Sequence, residues 1–302
     1  MKIVILDGGT IDPGLSWDGL KAFGELTVYA KTLPEQVVER AREADAVFVS
    51  KVQLNQSNLS QCPHVKFIGV MATGYNNVNL EDCGERGIAV CNIPAYSTDS
   101  VAQHAFALIL EITNQVALHN ASVKAGDWSR SELFCYWKSP LVLLRSMSIG
   151  IIGYGNIGKK VANIAKAFGM KVNIYSQNPE AAIQSDILSL HCPATDENKG
   201  FINKDFIRQM KDGAILINTA RGVLVNEGDL AEALISGKLS AAGLDVLVEE
   251  PAAADNPLIP LPNCFITPHM CWAAAELRQI IIDGCISNFQ EFLNGGTLNR
   301  VD

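Results

Sequence analysis

No stretch of the 302 residues approaches the ~20 consecutive apolar residues of a membrane-spanning helix, although 48% of the chain is hydrophobic. A signal peptide is missing too. Met1-Lys2-Ile3-Val4-Ile5-Leu6 is a short apolar run cut off by Asp7 and Gly8, the pattern of a first β-strand, and the expected location is the cytoplasm. The eight cysteines include no C-x-x-C pair and several lie in apolar runs, which argues against a disulfide framework and against a zinc site. Charge of one sign forms no long block. The net charge of -8 therefore favours solubility and speaks against general affinity for nucleic acid or anionic membranes. An acidic protein that binds a small carboxylate must supply positive charge locally, so individual arginines become informative.

The length exceeds one ordinary hydrophobic core and predicts two domains. In the first third, apolar runs at Lys2 to Leu6, Leu26 to Ala30, Ala46 to Ser50, Lys66 to Met71 and Ile88 to Cys91 alternate with helical patterns such as Pro34 to Ala44 and Asn79 to Arg86. Such alternation predicts an α/β fold, a parallel sheet with helices on both faces. A long helix follows, capped at Ser97-Thr98-Asp99-Ser100, carrying His104 and His119 and bridging the domains. After it comes an aromatic arm, Trp128 to Trp137, that either folds back on its own domain or packs on a second subunit.

A second alternating series begins at Ser148, and a final helix over Ala274 to Leu293 returns to the first domain. The expected division is 1–97 plus 274–302, and 98–273. Both are doubly wound parallel-sheet domains, the first flavodoxin-like and the second of Rossmann type. Between Tyr175 and Ile187 the chain barely reaches the ~10 to 12 residues of one crossover, so the second sheet is expected to lack one outer strand and to offer a shallower adenine pocket.

Gly153-Tyr154-Gly155-Asn156-Ile157-Gly158 directly follows a buried strand and opens a helix, the setting of a dinucleotide-binding turn. The first glycine permits the tight turn, the second lets pyrophosphate approach the backbone, and the third allows helix-to-strand packing. The acidic residue expected about 20 positions on to hold the ribose is absent; the segment reads Tyr175-Ser176-Gln177-Asn178, with Ser176 in its place and no arginine to attract a 2′-phosphate. NAD is therefore the expected cofactor, with NADP left open.

Three further residues fall at or just beyond strand ends, where ligands bind in open α/β sheets. Arg221 follows Asn218-Thr219-Ala220, Glu250-Pro251 follows the strand containing Gly243-Leu244-Asp245-Val246, and His269 follows Thr267-Pro268. Each alone reads as an ordinary residue: an ion pair, a solvated turn, a surface imidazole. Together they suit reduction of a keto acid. Arginine offers a planar fork to the carboxylate, histidine exchanges a proton with the carbonyl oxygen near neutral pH, and a carboxylate favours the charged imidazole.

These motifs resemble the D-isomer-specific 2-hydroxyacid dehydrogenases over nearly the whole chain. The resemblance implies that Arg221 binds the substrate carboxylate, Glu250 tunes His269 and His269 is the acid/base. It implies cofactor contacts from Gly153 to Gly158, Ser176, Cys192, Pro193, Thr219, Ala220 and Asp245, and substrate contacts from the loop Ala72, Thr73 and Gly74 together with Arg221 and His269. Ala72 to Val78, Tyr96 to His104, Phe134-Cys135-Tyr136-Trp137 and Trp272 further resemble the glycerate dehydrogenase (hydroxypyruvate reductase) branch, which implies hydroxypyruvate or glyoxylate as substrate and a homodimer. Two other readings remain: a dehydrogenase for another 2-keto acid, and a silent, corepressor-like dinucleotide sensor on the same fold.

Overall fold

The computed structural model describes residues 1–11 and 14–302, and these form two compact units: Met1–Tyr96 with Ala273–Asp302, and Ser97–Trp272. Each unit has a sheet whose paired strands all run parallel.

In the first unit the strands are β1 (Lys2–Ile5), β2 (Glu25–Val28), β3 (Ala46–Val49), β4 (Phe67–Val70) and β5 (Ala89–Cys91), in the order β2-β1-β3-β4-β5. This is the flavodoxin-like order. The central β3 and β4 are buried at every position, whereas edge strand β2 is largely exposed, as expected when helices cover both faces. Helices α1 (Val37–Ala41), α2 (Gln56–Leu59) and α3 (Leu80–Glu85) join the strands, and the Asn79 side chain caps α3 by accepting from Asp82 N–H. The closing helix, Ala275–Leu293, packs Phe289 and Phe292 on Phe67, both ring pairs at 5.1 Å between centroids. At the point between β1 and β3 where the strand order reverses, the Asp7 carboxylate accepts the N–H groups of Ser50, Lys51 and Val52 at 2.6 to 3.0 Å.

The second unit opens with α4 (Thr98–Asn114) and α5 (Val116–Lys124). The single helix expected through His119 is thus two, because Gln115 takes a left-handed conformation (φ 45°) between them; neither glycine nor proline marks the break. Then follow β6 (Ser148–Ile152), α6 (Asn156–Ala167), β7 (Lys171–Ile174), α7 (Pro179–Ile183), β8 (Ile187–Leu190), α8 (Lys204–Gln209), β9 (Ala214–Asn218), α9 (Glu227–Ser236), β10 (Leu239–Leu244) and β11 (Cys264–Ile266). The sheet order is β11-β10-β9-β8-β6-β7. Among the described residues no strand lies outside β7, and α7 is the one helix between β7 and β8, so the sheet does lack the outer strand. Ala102, Ala105 and Ile109 of α4 are buried with Ile149 and Ile151 of β6 and Val161 and Ala162 of α6; small residues on both helices permit this close approach. No helix among the described residues is long and apolar enough to cross a membrane.

Candidate active site

Register assembles the candidate residues of the second unit. Ile152 pairs with Leu190, Leu190 with Asn218, Asn218 with Leu244 and Leu244 with Ile266, so five strands end in one row. From that row spring the Gly153 loop, His191-Cys192-Pro193, Thr219-Ala220-Arg221, Asp245 and the His269 turn.

At one end of the row the three glycines have distinct causes. Gly153 has φ 93°, a conformation that strains any residue with a Cβ. A Cβ there would also strike the Cys192 N–H, which brings the 191–193 loop against the glycine turn. A Cβ on Gly158 would meet the Gly153 carbonyl, so helix α6 can seat on the turn only with glycine. Gly155 has neither reason: its φ of -79° suits any residue, and a Cβ would have nothing within 4 Å. The open space over Gly155, at the N-terminus of α6, is where a dinucleotide pyrophosphate fits. Beside this cradle, Thr219 Oγ1 and His191 Nδ1 are buried without a protein partner. The His191 Nε2 is hydrogen-bonded to Ser189 Oγ at 2.8 Å, and burial holds this imidazole down to about 4. Ser176 is exposed just beyond β7.

At the other end lie the three candidate catalytic groups, Glu250 and His269 in contact and Arg221 on the neighbouring loop. The Asn218 side chain fixes the loop that carries Arg221, donating to the Arg221 carbonyl at 2.8 Å and accepting from Ala220 N–H at 3.0 Å. A Cβ on Gly222 would collide with the backbone of Leu247 and Val248, so the arginine loop lies directly against the loop leading to Glu250. Glu250 accepts the Leu247 N–H through Oε1 at 3.2 Å and meets His269 Nδ1 through Oε2 at 2.6 Å. The Arg221 guanidinium is exposed, and its charge acts on the Cys271 thiol, two residues beyond His269.

His269 itself has φ 52°, an uncommon conformation for a side chain of this size. Asp245 holds it there. This carboxylate is fully buried; its Oδ1 accepts from Thr267 Oγ1 at 2.6 Å and Met270 N–H at 3.0 Å, and its Oδ2 from Cys271 N–H at 2.9 Å. Both flanks of His269 are therefore tied to one side chain. Burial pushes the Asp245 carboxyl up, but hydrogen bonds from His104, Cys271 and Thr267 outweigh it and hold the group down to about 2. His104 of α4 completes the arrangement, with Nε2 at 2.9 Å from Thr267 Oγ1 and 3.4 Å from Asp245 Oδ1. Reading the sequence assigned no role to His104, Thr267 or Asn218, because nothing local distinguishes a bracing polar side chain from a capping or surface one.

Comparison with known proteins shows the family. Residues 106–271 match the family described as D-isomer specific 2-hydroxyacid dehydrogenase, NAD binding domain. The chain belongs to the D-isomer specific 2-hydroxyacid dehydrogenases. It is 45% identical to a hydroxypyruvate reductase of Blautia hydrogenotrophica over 100% of both chains, and 36% identical to a glycerate dehydrogenase of Methylorubrum extorquens over 100% of this chain and 99% of the other. Among solved structures, a D-lactate dehydrogenase of Aquifex aeolicus in complex with NAD and lactic acid superimposes with a TM-score of 0.83 at 28% identity, covering 98% of this chain and 96% of that one. The dehydrogenase family thus accounts for the glycine loop, and the second unit is its NAD-binding domain.

The loop Ala72-Thr73-Gly74 belongs to the first unit, directly after β4. It is stitched to the end of β5: Ile93 N–H donates to the Ala72 carbonyl at 3.0 Å, and Thr73 Oγ1 donates to the Ile93 carbonyl at 2.8 Å.

Proposed function

We propose that this dehydrogenase interconverts hydroxypyruvate and D-glycerate with NAD(H), accepts glyoxylate less well, and works as a cytoplasmic homodimer. The His269 Nδ1 contact with Glu250 at 2.6 Å carries the reading. With Nδ1–H given to the carboxylate, Nε2 is the nitrogen that exchanges a proton with substrate. In reduction, Nε2 donates that proton to the oxygen of the former ketone; in oxidation it takes the hydroxyl proton. Arg221 holds the substrate carboxylate through its planar fork and polarises the ketone. Thr73 and Gly74 offer backbone N–H groups to the same substrate. The bound nicotinamide supplies or accepts the hydride.

Cofactor contacts are assigned to the 153–158 turn, to Ser176, Cys192 and Pro193, and to Thr219 and Ala220, with Asp245 acting through the turn it braces. The segment 175–178 carries no charge of either sign, which favours NAD over NADP only by the lack of a cation for a 2′-phosphate. Two full-length relatives bearing the names hydroxypyruvate reductase and glycerate dehydrogenase support the substrate. The aromatic arm supports the dimer: Phe134 is 90% exposed and Trp137 67%, an apolar surface suited to a second copy of the chain.

Steady-state kinetics with hydroxypyruvate, glyoxylate and pyruvate, each with NADH and NADPH, test the assignment. The highest kcat/KM is expected for hydroxypyruvate with NADH. A higher value for pyruvate refutes the substrate, a higher value with NADPH refutes the cofactor, and no turnover of any pair alongside cofactor binding points to a sensor.

A further inference from the structure

A side-chain amide is rarely placed in a hydrophobic interior, because its two donor hydrogens and its acceptor must all be matched there. The first unit nevertheless links three asparagines into one chain of hydrogen bonds at the carboxyl edge of its sheet. Asn288, on the closing helix, is 2% exposed; its Nδ2 donates to the Asn92 carbonyl at 2.9 Å and its Oδ1 accepts from Asn299 Nδ2 at 2.9 Å. Asn92, just after β5, donates its N–H to the Asn299 carbonyl at 3.1 Å. The Asn92 side chain then donates to the carbonyl of Thr73 at 2.7 Å.

The consequence lies in peptide geometry. Asn92 draws the Thr73 carbonyl inward, and Ile93 does the same to the carbonyl of Ala72. Across a planar trans peptide the C=O of one residue and the N–H of the next point in opposite directions. Fixing the Ala72 and Thr73 carbonyls toward 92–93 therefore aims the N–H groups of Thr73 and Gly74 away from it. Among the described residues neither N–H has a protein acceptor.

We propose that Asn92, Asn288 and Asn299 are positioning residues for the substrate loop: they hold two adjacent backbone N–H groups ready for an anionic oxygen of a small 2-keto acid. This rests on the reading that the 72–74 loop binds substrate. Asn288 and Asn299 are linked to the loop through Asn92. A network that merely satisfies buried groups would influence stability alone, whereas a positioning network sets substrate affinity.

Two variants test the proposal. Asn288→Leu keeps the branching and the number of heavy atoms and removes both bonds of the central amide. Asn299→Gly removes only the outer donor, and glycine adopts the left-handed backbone of that position (φ 55°) without strain, so it is the safer fold. With each removed hydrogen bond contributing about 1 kcal/mol, KM for hydroxypyruvate should rise about 30-fold in Asn288→Leu and about fivefold in Asn299→Gly. The KM for NADH and the pH profile of kcat should stay as in the parent. Unchanged KM for the keto acid in Asn299→Gly and in any folded Asn288→Leu overturns the proposal, even if thermal stability falls. The loop reading is checked separately by the amide resonances of Thr73 and Gly74 when D-glycerate is added to the parent protein with NADH, a pair that cannot react. Shifts there with unchanged KM in the variants refute the positioning role alone; absence of shifts refutes the loop reading, and the proposal with it.

Discussion

Arg221 and His191 show how little a residue type reveals about its task. Arg221 is exposed and its guanidinium donates to the adjacent Ala220 carbonyl at 2.7 Å, leaving the remaining N–H groups for a carboxylate. Arg221→Ala should lower kcat/KM for the keto acid about 10- to 100-fold, as loss of a charge-assisted hydrogen bond implies, with NADH affinity retained in a fluorescence titration. His191 instead carries a pH dependence of folding. Its folded value near 4 lies below the ordinary 6.5 because its nitrogens are shielded, so the unfolded chain takes up a proton first. The sign follows: stability from this group is full above pH 6.5 and is lost as pH falls toward 4. The slope of unfolding free energy over that window should reach at most about 1.4 kcal/mol per pH unit and flatten in His191→Gln. An identical slope in the variant would show that His191 is not the source.

At the level of elements, the turn between β6 and α6 was legible because its chemistry is local: three glycines at fixed spacing between an apolar strand and a helix. Gly155 separates ligand from fold most cleanly. Gly155→Val places its side chain where no protein atom stands within 4 Å of the Cβ, so the thermal midpoint should stay near the parent's while NADH affinity drops about tenfold or more. A variant that binds NADH normally would remove the cofactor from that cradle. The Asp245 brace was not legible in the same way. Asp245 carried in the sequence only a cofactor contact implied by resemblance, and its partners Thr267, Cys271 and His104 come from other stretches of chain that the fold brings together. Buried polar residues on otherwise apolar elements, His104 and Asn288 among them, give no periodic signal, because the hydrophobic pattern is set by their neighbours. The break at Gln115 went unread for a related reason: a left-handed glutamine lacks the glycine that usually announces one.

For the whole molecule, alternating strands and helices determined the fold class, and the short Tyr175 to Ile187 segment determined the missing strand, because chain length limits what can be built. The proposed homodimer rests on the aromatic arm. The double variant Phe134→Asp with Trp137→Asp replaces two exposed rings by charges that a dimer interface would have to desolvate. Light scattering should report a dimer for the parent and a monomer for this variant; equal masses would leave the arm without that role. The central claim is the chemistry of the paired imidazole. In rapid-mixing experiments with hydroxypyruvate and prebound NADH, His269→Ala should oxidise the cofactor about 10²- to 10⁴-fold more slowly than the parent while binding NADH with equal affinity. Parental rates in that variant would contradict the account.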